Sequence, residues 1–190
     1  MPIFILFLFF ANAVLAADID VMKEVVLPFN SFGNRANYSD LKPKMLDGFG
    51  AYRIAGHKHA GLDIKGEFNE PVYPIGLGMV REIYGAFPYT TVLIEHHLPS
   101  NEIVYSGYTH LENIEVTVDQ IVTQNTKLGR LFSEEELKKA NFYANHIHFE
   151  IRKTLERFQG ISIKCFSQQD LNKYFYDPAI FLKTQMRSNN

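Results

Sequence analysis

The chain has 190 residues, 46% of them apolar, enough for one domain with a real core once a short leader is set aside. A net charge of −2 and a pI near 6.4 give no electrostatic case for nucleic acid or an anionic membrane as partner. Cys165 is the only thiol, which excludes an internal disulfide and any zinc site built from several thiolates.

Residues 1–17, MPIFILFLFFANAVLAA, form an apolar run closed by small residues, the pattern of a signal peptide with cleavage after Ala13, Ala16 or Ala17. The run is short for a spanning helix. Export to the periplasm or the exterior is the expectation. Membrane association would follow only from an uncleaved anchor over residues 3–16. Residues 18–45 mix charged, apolar and turn residues without a clear period. From Ala51 onward β-like runs follow at intervals of about ten residues: GLDIKG, PVYPIG, GMVREIYG, TTVLIEHHL, EIVYSGYTHL and HIHFEIRK. Turn signals separate them, which predicts a mainly β, antiparallel core with a few short helices.

One helix interrupts this pattern. In SEEELKKANFYA, Ser133 precedes Glu136 by three residues, a capping box, with acidic residues first and Lys138 and Lys139 last. Asp177-Pro178 before AIFLK predicts the cap and first residue of a short closing helix with a structural role.

The seven histidines stand at 57/59, 96/97, 110 and 146/148. In NHIHFEIR, Ile147, Phe149 and Ile151 alternate with His146, His148, Glu150 and Arg152, a strand with one apolar face. His146 and His148 then lie roughly 6.6–7 Å apart on the other face. His59 and Asp63 would be ~13 Å apart on a straight strand, so a bend at Gly61 is needed for them to share one ion. A catalytic zinc takes a few N or O donors and keeps one position open for water, and that water needs a proton acceptor and a charge stabiliser nearby. His110, in SGYTHLEN, and the two strand histidines are available for these places.

HAGLD (59–63), YTHL (108–111) and HIHFEIR (146–152), in that order, resemble the lysostaphin/LytM-type zinc metallopeptidases, with FGAYR, EPVYPIGLGMVREIY, VLIEH, LG (128–129) and YDPAIFL fitting the same plan. The resemblance covers residues 46–183, leaving 184–190 as a tail. It implies a small antiparallel β-sheet or barrel-like domain with a groove over one zinc ion, and hydrolysis of peptide bonds in bacterial cell-wall peptidoglycan. It implies His59, Asp63 and His148 as zinc ligands, His146 as general base, and His110 as oxyanion stabiliser or partner in the proton work. Which of the two histidines takes the proton stays open.

Relatives usually carry a Gly- and Ser-rich loop before the HxH strand. Here the capped helix replaces it and is expected to form a groove wall or lid. Some relatives are kept latent by an N-terminal segment across the groove. Asn34 and Asn37 would serve that purpose here, although ordinary packing of residues 18–45 is the simpler expectation. His57 reads as surface and His96 and His97 as structural or groove-edge. Tyr105, Tyr108 and Tyr143 read as core. A non-catalytic scaffold of the same fold is the alternative function. A cupin-like metal barrel fits less well, because HxHxxxE is mimicked by His57, His59 and Asp63 but its downstream segment has no counterpart.

Overall fold

The computed structural model describes residues 19–29, 38–54, 56–155 and 165–187. The leader and the Asn34–Asn37 stretch lie outside them. In chain order the elements are α1 (Tyr38–Leu41), β1 (Met45–Asp47), β2 (Leu62–Lys65), β3 (Pro71–Val72), β4 (Gly78–Tyr84), β5 (Thr91–His97), β6 (Ile103–Thr109), β7 (Ile121–Val122) and β8 (Gly129–Arg130). They continue with α2 (Glu134–Ala140), β9 (His146–Arg152), α3 (Gln168–Tyr174), β10 (Phe175–Tyr176) and α4 (Pro178–Arg187). The main sheet is antiparallel, in the order β1-β2-β9-β6-β5-β4-β7, with β10 beside the end of β9 that β2 does not reach. β3 and β8 form a separate ribbon. The sheet is open and does not close into a barrel.

Period-two patterning explains the central strands. Ile147, Phe149 and Ile151 of β9 are fully buried, as are Leu62 and Ile64 of β2 and Val92 and Ile94 of β5. Burial of each such side chain is worth roughly 1.5–3 kcal/mol. The apolar face of β9 therefore fixes where its other face points. β5 departs from alternation: every residue from Thr91 to His96 is buried. A sheet covered on both faces accounts for this. Met22, Val25, Leu27 and Phe29 join the core, with Val21 bridging His97 and Phe29 bridging Val72. The described part of the N-terminal segment therefore packs along the sheet. It is seated on Gly76, where a Cβ would come within 2.5 Å of Met22 Sδ and 2.6 Å of the Glu24 carbonyl oxygen.

Both predicted helices form. Ser133 Oγ accepts from the Glu136 amide and the Glu136 carboxylate accepts from the Ser133 amide, and Asn141 ends α2 in the left-handed region at φ 57°. Asp177 Oδ1 accepts from the Ala179 and Ile180 amides, and Phe181 and Leu182 of α4 enter the core. α4 runs past residue 183 to Arg187. α3 was not predicted, although Ser167 and Asp170 form its capping box.

His96 is structural. Nδ1 lies 2.7 Å from the Leu77 carbonyl oxygen and Nε2 2.7 Å from Ser106 Oγ, which in turn reaches the buried Tyr108 hydroxyl. Burial pushes its pKa down from 6.5 to about 4. The unfolded chain takes up this proton first as pH falls. The contribution of neutral His96 is therefore fully present above pH 6.5 and lost between 6.5 and 4, on the order of 3 kcal/mol. Urea unfolding of wild type and His96→Gln at pH 7 and pH 4 is expected to show a flatter pH dependence in the variant. Equal slopes would contradict this.

Candidate metal centre

Strand register brings two of the predicted ligands together. β2 pairs with β9 so that Asp63 stands directly opposite His148. A bend at Gly61 then brings His59 back over the same spot. The bend is where the spacing argument requires it, but glycine is needed there for a different reason. No left-handed conformation is involved. A Cβ at residue 61 would instead lie 2.7 Å from His148 Cε1 and 2.6 Å from the Phe149 carbonyl oxygen. Close approach of the His148 ring, not backbone freedom, excludes a side chain.

The three donor atoms converge. His59 Nε2 lies 2.8 Å from His148 Nδ1 and 3.1 Å from Asp63 Oδ1, and His148 Nδ1 lies 3.0 Å from Asp63 Oδ1. Donors at about 2.0–2.2 Å from a tetrahedral zinc would stand about 3.3–3.5 Å apart, so a small expansion of this triangle accepts the ion. Each donor is oriented from behind. His59 Nδ1 lies 2.9 Å from the Gly48 carbonyl oxygen, and His148 Nε2 2.8 Å from Glu150 Oε1. Arg53 donates to Asp63 Oδ2 at 2.6 Å and pairs with Asp47 at 3.0 Å, leaving Asp63 Oδ1 toward the triangle. Two imidazole nitrogens and one carboxylate oxygen, each held by a partner on its far side, fit zinc.

Charge agrees with geometry. Burial acts to raise the Asp63 pKa, but hydrogen bonds from His148 and His59 hold it far below the usual carboxylate range. Burial acts to lower the His148 pKa, yet Asp63 and Glu150 lift it to about 9. The surroundings thus favour positive charge beside His148 Nδ1.

His110 and His146 stand next to this triangle. His110 directly follows β6 with φ at 72°, a left-handed conformation that costs energy in a residue with a side chain. The turn puts its ring 4.8 Å from that of His146 and 6.4 Å from that of His148. His110 Nδ1 lies 2.7 Å from the Pro88 carbonyl oxygen and His146 Nδ1 2.8 Å from that of Ala144. A ring that donates Nδ1–H keeps a free acceptor pair at Nε2. Burial lowers both pKa values, that of His110 to about 3, which favours the neutral form of each ring.

All five predicted residues line one groove of about 830 Å³, together with Arg53, His57, Tyr84, Tyr89, Phe142, Tyr143, Glu150 and Arg152. Tyr143 corrects the sequence reading. It is not core but 74% exposed, its ring nearly parallel to that of His146 at 6.3 Å. Tyr108 is core, as expected, and His57 is a half-buried groove residue. α2 itself does not line the groove. Its C-terminal extension does: Phe142 meets His110 edge-on at 4.8 Å. The helix is pinned by two hydrogen bonds from Arg130 to Glu136, at 2.7 and 3.0 Å. It is a support for the wall, not the wall. Arg53, Glu150 and Arg152 were missed as site residues. Glu150 and Arg152 carried a usable signal, since they share the strand face of His146 and His148.

No curated protein matches this chain. The sequence profile of Peptidase family M23 matches residues 57–162, more than half of it. Among solved structures, lysostaphin in solution is 23% identical with a TM-score of 0.52, over 75% of this chain and 51% of its own. LytU is 20% identical with a TM-score of 0.52, over 73% and 83% of the two chains. The catalytic domain of the antimicrobial peptidase lysostaphin from Staphylococcus simulans is 22% identical with a TM-score of 0.50, over 77% and 98%. The chain spans about half the length of the whole lysostaphin chain. At these identities the likeness is one of fold.

Proposed function

Since the chain belongs to peptidase family M23, we propose that it is a secreted zinc-dependent endopeptidase that hydrolyses peptide bonds in bacterial cell-wall peptidoglycan. The observation that carries this reading is the convergence of His59 Nε2, Asp63 Oδ1 and His148 Nδ1 beside the imidazoles of His110 and His146, whose Nδ1 atoms are engaged by backbone carbonyls. The donors His59, Asp63 and His148 would hold one zinc ion. Zinc in such a site supplies a water of lowered pKa and polarises the substrate carbonyl.

The protein residues do the proton work. His146 Nε2 takes the proton of the attacking water and passes it to the departing amine nitrogen. Its hydrogen bond to the Ala144 carbonyl keeps that atom an acceptor until then. His110 has its N–H committed to Pro88, so neutral His110 is an acceptor at Nε2. It stabilises a developing oxyanion only after it has gained a proton, which favours its share in proton transfer. Phe142 and Tyr89 lie against the two imidazoles and shield them from bulk water. Residues 1–17 would direct export; among the described residues no helix is long and apolar enough to cross a membrane.

Metal analysis tests the reading. Purified protein is expected to hold about one equivalent of zinc and to lose activity with a chelator. Less than about a tenth of an equivalent, with no chelator-sensitive activity, would favour the scaffold. A second prediction concerns the wall. Replacing residues 133–141 by a short Gly-Ser loop frees the support of Phe142 and Tyr143 while leaving the three donors untouched. Zinc content is expected to stay the same, while the rate or the set of released wall fragments changes. Fragments and rate both unchanged would refute a role for this segment.

A further inference from the structure

We infer that Glu150 is a positioning residue of the metal centre, which holds His148 so that Nδ1 rather than Nε2 faces His59 and Asp63. This rests on the zinc reading above. An imidazole can present either nitrogen to an ion, and the choice is fixed by what the other one donates to. His148 Nε2 lies 2.8 Å from Glu150 Oε1, while Nδ1 lies toward the two other donors. The ring is wedged as well as bonded, because its Cε1 and Nε2 edge lies over Gly61, where no side chain fits.

Glu150 is itself immobilised. It is 2% exposed, and Arg152 Nε donates to its second oxygen at 2.8 Å. Arg152 is also 2% exposed, and its Nη2 donates to the Tyr84 hydroxyl at 2.8 Å. The chain Tyr84–Arg152–Glu150–His148 thus runs from β4 to the metal triangle, and both oxygens of the carboxylate are used. A buried pair such as Glu150–Arg152 is weak as a source of stability, because desolvation offsets most of its attraction and apolar residues would serve as well. Orientation of the His148 ring gives the pair a purpose that stability does not.

The test uses the mature chain and zinc itself. Glu150→Gln keeps an acceptor for Nε2–H but leaves Arg152 buried without a counter-charge, so paired variants are the decisive ones. E150Q/R152M removes both charges and keeps the acceptor; E150L/R152M removes both and the acceptor. By chelator competition, zinc affinity is expected to fall about 10-fold in the first and nearer 100-fold in the second. The second readout is independent of zinc. In metal-free wild type, NMR is expected to show a protected His148 Nε2–H proton, absent from E150L/R152M. Zinc affinity within about twofold of wild type in both paired variants would overturn the inference, because Glu150 would then serve only to neutralise Arg152. An exchanging or missing Nε2–H in wild type would overturn it too. Failure of the zinc reading looks different: wild type itself takes up no zinc.

Discussion

Replacement of His148 by alanine is expected to leave purified protein with less than about a tenth of an equivalent of zinc, and with no measurable hydrolysis. The reason is geometric. The three donors stand 2.8, 3.0 and 3.1 Å from one another, and His148 Nδ1 makes the two shorter of these approaches, so its loss opens the triangle. Asp63 keeps Arg53 as partner, and Glu150 keeps Arg152, so neither buried carboxylate is left without a counter-charge. The fold should therefore survive. Circular dichroism and a thermal melt check that, and metal analysis on the same sample reads the effect. Full zinc content in the His148→Ala variant would refute the ligand assignment.

His146→Ala is expected to separate the two halves of the site. His146 Nε2 lies 3.9 Å from Asp63 Oδ2 and is not one of the converging atoms, so zinc should be retained. Turnover should fall by roughly 10²–10⁴, the usual range for loss of a positioned general base. The loss belongs in kcat more than KM, because the ring acts on the proton in transit and not on the bound ground state. Zinc loss in parallel with activity would make His146 a ligand. Unchanged kcat would pass the proton work to His110.

These two variants lie on one strand, and that strand was the most legible part of the sequence. Alternation in NHIHFEIR predicted β9, its buried Ile147, Phe149 and Ile151, and the shared face of His146 and His148. Capping chemistry predicted α2 and α4 for the same reason: a local hydrogen bond leaves a local signature. Two-residue strands such as β7, β8 and β10 carry no period to read, because pairing partners far along the chain decide them. α3 escaped notice because Asp170 stands where Glu or Gln usually completes the box.

The site divides in the same way. The donor set follows from residue types in order, but the supports do not. Arg53 reaches Asp63 ten residues away, and Tyr84 meets Arg152 across 68 residues. No spacing rule announces either contact. Tyr143 was misplaced because a Tyr-rich sequence favours a core reading. Its place on the rim follows from the left-handed turn at Asn141, which redirects the chain beyond α2. Close approach at Gly61 likewise becomes visible only once β2 and β9 are paired.

Cleavage of wall peptides by this groove is tested most directly by digesting isolated wall sacculi with the mature chain and identifying the released fragments by mass spectrometry. The expected result is soluble peptide fragments with new amino termini at one type of bond. Their release should stop with a chelator, return with added zinc, and be lost in His146→Ala. Sacculi left intact by protein that carries its zinc would contradict the claim that this groove cuts wall peptides.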